Sequence, residues 1–383
     1  MKQLLGRILI VLCVLQACRT PFDPEVPAER TSFLVVEGYL DSEGLASEIK
    51  LSRTVPLDSA TAFRPETGAL ISLTSESGET LGLIEKEGGS YVFQSDISEN
   101  QSYTLEIILR NGERFRSEPM RPVVTPEIID AGFVKDEEGV EIFVTTQGNA
   151  NADDFLWTYE ETWIFRPPVR SVYLYDDSIE DVRFRTQEEQ NALCFKSFSS
   201  PDILLETSSR YEEQVVFRQS ITDIPLGDER IMERYSVLIS QKAIEADAVK
   251  FWQILKKNTQ DIGSIFSPLP SLIGGNIHSV DNSKTPVIGQ VSLGVVRQRR
   301  IYIDLLDVFP WNYRNYEMAD CAVSQDLILV KDYAIFKNGT IVPAVPMIPP
   351  GGTRPIGYYP TTKRCSDCRL YASPVIPDFW EDD

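Results

Sequence analysis

The chain predicts a mainly β protein: an N-terminal β-sandwich of immunoglobulin-like or transthyretin-like kind, then a larger β-rich domain carrying one long α-helix. Three observations point there. Residues 33–117 break into short β-prone runs separated by turn signals about every eight to twelve residues. Beyond residue 127 the apolar alternation continues in longer runs. A helical spacing of apolar residues is convincing at one place, 244–258.

Taken in order, the first apolar run covers 33–40 and ends in a turn at 41–44. Runs at 48–53, 69–75, 81–84, 91–93, 103–109 and 114–117 follow, punctuated by Ser77-Gly78 and Gly88-Gly89. Asn111-Gly112 is the strongest hairpin signal, because both residues tolerate the positive φ that a tight turn demands. Pro119, Pro122 and Pro126 then mark a boundary, so the sandwich is assigned to 31–125 and the second domain to 126–383.

In the second domain, strands are expected at 128–134, 139–146 and 155–165. Thr186 and Glu189 have capping-box spacing and predict a short helix running towards Cys194. Strands at 214–219 and 235–240 lead into the long helix at 244–258. There Ala248, Phe251, Trp252 and Leu255 recur at helical spacing, with Gly263 beyond the end. Residues 287–296 and 300–306 return to strand character. Between 343 and 360, nine Pro and Gly residues predict an irregular segment, and Phe379 and Trp380 are expected to dock on the second domain.

The chain begins with Lys2 and Arg7, an apolar stretch from Ile8 to Leu15, then Ala17 and Cys18. That is the layout of a secretory signal, and its apolar stretch falls far short of the roughly 20 residues a membrane span needs. Leu15, Ala17 and Cys18 resemble the bacterial lipobox. The resemblance implies a signal peptide at 1–17, lipid on Cys18 and a Pro-rich acidic tether at 18–30. Acyl chains would supply the attachment, each buried methylene contributing about 0.8 kcal/mol.

Charge narrows the partners. With 37 basic and 57 acidic residues the chain has a formal net charge of −20. No basic stripe is present to displace phosphate counterions, which argues against nucleic acid, and the same charge disfavours anionic lipid surfaces. Of six cysteines, Cys13 falls in the signal and Cys18 carries lipid. Cys194, Cys321, Cys365 and Cys368 then read as two disulfides in an exported protein, with three connectivities open. Zinc is the competing reading of Cys365-x-x-Cys368, but a second close pair is missing.

Catalytic chemistry is hard to assemble. His278 is the sole histidine, so a Ser-His-Asp triad would have to use it, with Ser279 and Asp281 nearby. A polar turn is the simpler reading of 276–282. Carboxylate neighbours such as Glu160-Glu161 and Glu188-Glu189 read as solvated faces, and Asp153-Asp154 lacks the spacing of a calcium loop. No catalytic constellation, metal site or cofactor is therefore predicted. Trp157, Tyr159, Trp163 and Phe165 share a strand face and read as core. Trp311, Tyr313 and Tyr316 form a polar aromatic loop suited to recognition, as aromatic side chains anchor interfaces at little entropic cost.

Several segments together carry a resemblance: the lipobox, residues 33–38 just after the tether, Gly275 to Asn282 followed by 286–292, and Cys365 to Leu370 ahead of Pro377 to Trp380. In these the chain resembles the family catalogued as domain of unknown function 4249, lipoproteins of Bacteroidota. The resemblance implies an outer-membrane lipoprotein, on the cell-surface or the periplasmic face, beside a β-barrel like a TonB-dependent receptor. It implies no activity. The expected function is a non-enzymatic accessory subunit of such a barrel. The alternatives are a freestanding glycan- or peptide-binding lipoprotein and, more remotely, a hydrolase.

Overall fold

The computed structural model describes residues 32–55, 64–259, 274–282 and 285–381. The signal segment, Cys18, the whole tether at 18–30 and Gly263 lie outside the described residues.

The N-terminal runs form two facing sheets. One has the order Val287–Gly294, Leu34–Asp41, Ser47–Arg53, Ser90–Phe93, Ile84–Glu85, with Arg64–Pro65 beside Ser47–Arg53. The other runs Ile277–Ser279, Arg114–Ser117, Tyr103–Ile108, Leu70–Ser75, Thr80–Gly82. Side chains alternate across a strand, so Leu34 and Val36, Ile49 and Leu51, Ile71 and Leu73, and Leu105 and Ile107 all enter one core. At the predicted hairpin, Gly112 has φ +90°, and Asn111 Oδ1 accepts from Glu113 N at 3.0 Å.

The sandwich is not confined to 31–125, which corrects the boundary expected from the prolines. Val287–Gly294 lies parallel to Leu34–Asp41 along its whole length, and Ile277–Ser279 completes the facing sheet against Arg114–Ser117. Parallel strands need a long crossover, and here the crossover contains most of the second domain. The Gly275–Asn282 segment is what seats these strands. Asn276 clasps the backbone of Val291, donating from Nδ2 to its carbonyl at 2.7 Å and accepting from its N–H at 3.0 Å. Gly289 lies so close to Val36 that a Cβ there would sit 2.1 Å from the Val36 carbonyl oxygen.

The second domain is another sandwich. A three-stranded sheet, Ile128–Lys135, Gly139–Gln147 and Val215–Pro225, faces a five-stranded sheet. The latter has the order Cys194–Ser199, Asp154–Phe165, Arg234–Ala243, Val296–Asp304, with Leu204–Thr207 also on Asp154–Phe165. Odd-numbered residues fill the space between them: Phe155, Trp157 and Tyr159, then Tyr235, Val237 and Ile239, then Ile301 and Ile303. Even-numbered residues of the same strands point away, towards the helix Ala246–Thr259 and the first sandwich. The helix packs Ala248, Trp252 and Leu255 against Tyr39, Leu156 and Ile203. Its first turn carries Asp247 and its last Lys256 and Lys257, which suits the helix dipole.

Two local expectations are corrected. Residues 186–190 form a turn rather than a helix, although Thr186 N does donate to Glu189 Oε2 at 2.8 Å. The Glu189 carboxylate is also gripped by Arg183, at 2.8 and 2.9 Å, and the chain leaves directly into the Cys194–Ser199 strand. The Pro-rich stretch is a hairpin: Ile341–Met347 pairs antiparallel with Gly357–Thr362, with a register shift between Pro343 and Val345. Ile341–Met347 is an edge strand, where a residue without an N–H is tolerated.

Both disulfides hold this C-terminal region and settle the open pairing. Cys194 is bonded to Cys368, and Cys321 to Cys365. The tail closes on the second domain as expected. Trp380 packs on Phe195 with ring centroids 4.9 Å apart, and Arg300 lies 3.6 Å from the centre of the Phe379 ring.

Candidate binding cleft

Where the two sandwiches meet, Tyr39 donates from its hydroxyl to the Ala243 carbonyl at 3.1 Å, and Asp41 Oδ2 accepts from Val296 N at 2.8 Å. Beside this joint lies a cleft of about 770 Å³. Its floor is the polar face of the five-stranded sheet. Thr158 stands opposite Ser240, and Ser240 opposite Gln298, so three neighbouring strands present hydroxyl, hydroxyl and amide in one row. Gln298 Nε2 donates to Ser240 Oγ at 2.9 Å. Trp252 of the helix supplies a wall, and Glu37, Glu48 and Lys50 come from the first sandwich.

Lys242 is the distinctive group here. It follows Ser240 on the same face, and its Nζ donates to Thr158 Oγ1 at 3.2 Å and lies 5.7 Å from the centre of the Tyr39 ring. Burial pulls its ammonium down to about 8, and the negative charge of Glu160 opposes that pull. Of the carboxylates around it, Glu48 already holds Lys50 at 2.9 Å and accepts from Ser90 Oγ at 2.6 Å.

The sequence reading did not single out Lys242, Thr158, Ser240 or Trp252 as a site. The signal was a strand pattern with polar residues at alternate positions. What brings them together is register between strands tens of residues apart.

The predicted recognition loop divides. Trp311 is core, 6% exposed, and donates from Nε1 to the Asp228 carbonyl at 3.0 Å; Tyr313 packs half-buried against the same cluster. Large apolar residues fill a sandwich end as readily as they present to solvent, so the aromatic spacing alone misplaced them. Tyr316 is 80% exposed, and on the same loop Leu306 and Phe309 are 84% and 74% exposed. These two apolar residues were missed.

The other candidates for chemistry lie apart from the cleft. His278 Nε2 is 3.1 Å from Glu118 Oε1, Ser279 Oγ accepts from Asn282 N at 3.2 Å, and Asp281 is bound to Arg114 at 2.7 Å. The three side chains of the would-be triad thus turn to three different partners. Asp154 accepts from the Thr207 hydroxyl. Among the described residues there is no group of three or more His, Cys, Asp or Glu placed to hold a metal ion, and no helix long and apolar enough to cross a membrane.

Comparison with known proteins adds the family. No curated protein matches the chain. Among solved structures, the two-fibronectin-type-III-domain segment of chicken tenascin is similar at 12% identity over 56% of this chain and 93% of that one, with a TM-score of 0.15. CBD12 from CALX1.2 is similar at 11% identity over 72% of this chain and 100% of that one, also with a TM-score of 0.15. Such scores say nothing about the cleft. The family pattern, by contrast, matches residues 19–300, most of the chain: the protein belongs to the family described as a domain of unknown function (DUF4249).

Proposed function

We propose that the chain is a lipid-anchored, non-enzymatic protein of the outer membrane that works as an accessory subunit of a TonB-dependent-type β-barrel. The observation that carries this reading is the 306–316 loop. Leu306, Phe309 and Tyr316 stand out in solvent, while Trp311 between them is locked into the core. Large apolar side chains held out on a fixed base lose little freedom on docking, which favours use as anchors. The scattered partners of His278, Ser279 and Asp281 favour binding over hydrolysis.

The experiment is a mild-detergent purification of the native lipoprotein with identification of what comes with it. A barrel protein at near-stoichiometric yield is expected, lost when Leu306, Phe309 and Tyr316 are changed to Ser together. A protein that leaves the membrane alone in several detergents would end the accessory reading. Replacing Cys18 by Ala should abolish palmitate labelling and release the chain. Unlabelled wild-type protein in the membrane fraction would count against the anchor. The freestanding saccharide-binding alternative is favoured by one feature, the hydroxyl-lined cleft.

A further inference from the structure

We infer that the cleft between the sandwiches binds a saccharide bearing a carboxylate, a uronic-acid oligosaccharide in chemical class, with the acid group on Lys242 and a sugar face against Trp252. The site is independent of the 306–316 loop and of any barrel partner. Its size, about 770 Å³, lies within the range of small-ligand pockets.

The chemistry of the lining selects the ligand. The floor offers side-chain hydroxyls and an amide in a row, Thr158, Ser240 and Gln298, groups that both donate and accept and so match sugar hydroxyls. A peptide binding by strand addition needs a free backbone edge. Two of the three floor strands, Asp154–Phe165 and Arg234–Ala243, are hydrogen-bonded on both sides and offer none, and only the third, Val296–Asp304, ends the sheet. Trp252 adds an aromatic face on which the C–H face of a sugar ring can pack.

Lys242 supplies the cation for the acid group, within a lining that also carries four carboxylates. An ammonium has three N–H donors, and among the described residues its one hydrogen bond goes to the neutral Thr158 hydroxyl. A desolvated cation without a bonded anion is unfavourable, so a ligand carboxylate at this point gains a charge-assisted hydrogen bond. The groups around it are Tyr39, Tyr159, Glu37, Glu48, Lys50, Glu160 and Asp202. Glu48 is committed to Lys50, and Asp202 accepts from Ser200 Oγ at 3.0 Å. Glu160 acts on Lys242 through its charge, which partly offsets the lowering that burial imposes.

The test is calorimetric titration of the full mature chain at pH 7 with trisaccharides of galacturonate, glucuronate, mannuronate and guluronate. At least one is expected to bind with Kd below about 1 mM. Its methyl ester should bind at least tenfold more weakly. Lys242→Met and Trp252→Ala should each lose at least tenfold. Thr158→Val, which keeps the strand packing, should lose a smaller factor and serves as a second variant if Lys242→Met misfolds. The inference is overturned if no uronate binds in that range, if acid and ester bind alike, or if folded Lys242→Met binds as well as the wild type. Binding of trialanine in place of every uronate would overturn it as well, by assigning the cleft to peptide.

Discussion

Glu161 and Arg230 meet inside the second sandwich, Oε1 to Nη1 at 2.8 Å, with 2% of the Glu161 side chain exposed. The Tyr235 hydroxyl donates to the same Glu161 oxygen at 2.7 Å, and Asp228 holds the Arg230 guanidinium from the other side at 3.2 Å. Burial acts against the charge on Arg230, but these acidic partners win and hold its pKa above the ordinary value. Removing one member of a buried pair leaves an uncompensated charge, a loss of about 3–5 kcal/mol. Arg230→Met should therefore destabilise strongly in urea unfolding, and Arg230→Met with Glu161→Gln should recover part of the loss. With Glu161→Gln measured alone to close the cycle, losses that simply add in the double variant would mean the pair is not coupled.

Cys368 is bonded to Cys194 across 174 residues of sequence, and Cys365 to Cys321 across 44. Each bridge ties the C-terminal region to structure laid down earlier. Removing a native disulfide from an exported domain typically costs about 2–5 kcal/mol. Replacing Cys194 and Cys368 together by Ser should lower Tm by several degrees and free the 363–381 tail to protease. Non-reducing peptide mapping of the wild type should recover the pairs 194–368 and 321–365 and no 365–368 pair.

Trp311 and Tyr316 share a loop but should respond in opposite ways. Trp311→Ala empties a filled site in the second core and removes the hydrogen bond to Asp228, a change worth about 3–5 kcal/mol. Tyr316→Ala, at a side chain in solvent, should leave Tm within a degree or so. Thermal melts decide; a Trp311→Ala variant as stable as the wild type would place the core elsewhere.

Lys242 makes stability depend on pH in a defined direction. Burial draws its folded-state pKa down to about 8, below the unfolded value. Between about 8 and the ordinary lysine range the unfolded chain binds the extra proton, so the lysine's contribution to stability improves as pH rises. At pH 7 both states are charged and the folded one bears the desolvation cost. Lys242→Met should thus melt above the wild type at pH 7, with the gap narrowing as pH rises through 8 towards 10. A gap that stays constant over that window would show that the lysine does not titrate early.

The local elements were legible in the order of residues along the chain. Apolar β-prone runs bounded by turns placed Leu34–Asp41, Leu70–Ser75 and Arg234–Ala243 as strands, and alternation placed Asp154–Phe165, because a period of two has one buried face only in extended chain. The helical spacing of Ala248, Phe251, Trp252 and Leu255 marked the helix, and the even count of cysteines beyond Cys18 anticipated two bridges. Everything that depends on pairing across long separations came from the assembled fold. Val287–Gly294 joins the first sandwich beside Leu34–Asp41, and the Pro-rich tail becomes a hairpin at a sheet edge. Cys365 and Cys368 reach past one another to distant partners, and Trp311 turns inward while Leu306 and Phe309 turn out. The cleft belongs to the same class. Thr158, Ser240 and Gln298 are neighbours through strand register alone, and register is an outcome of how the buried faces of whole sheets fit together.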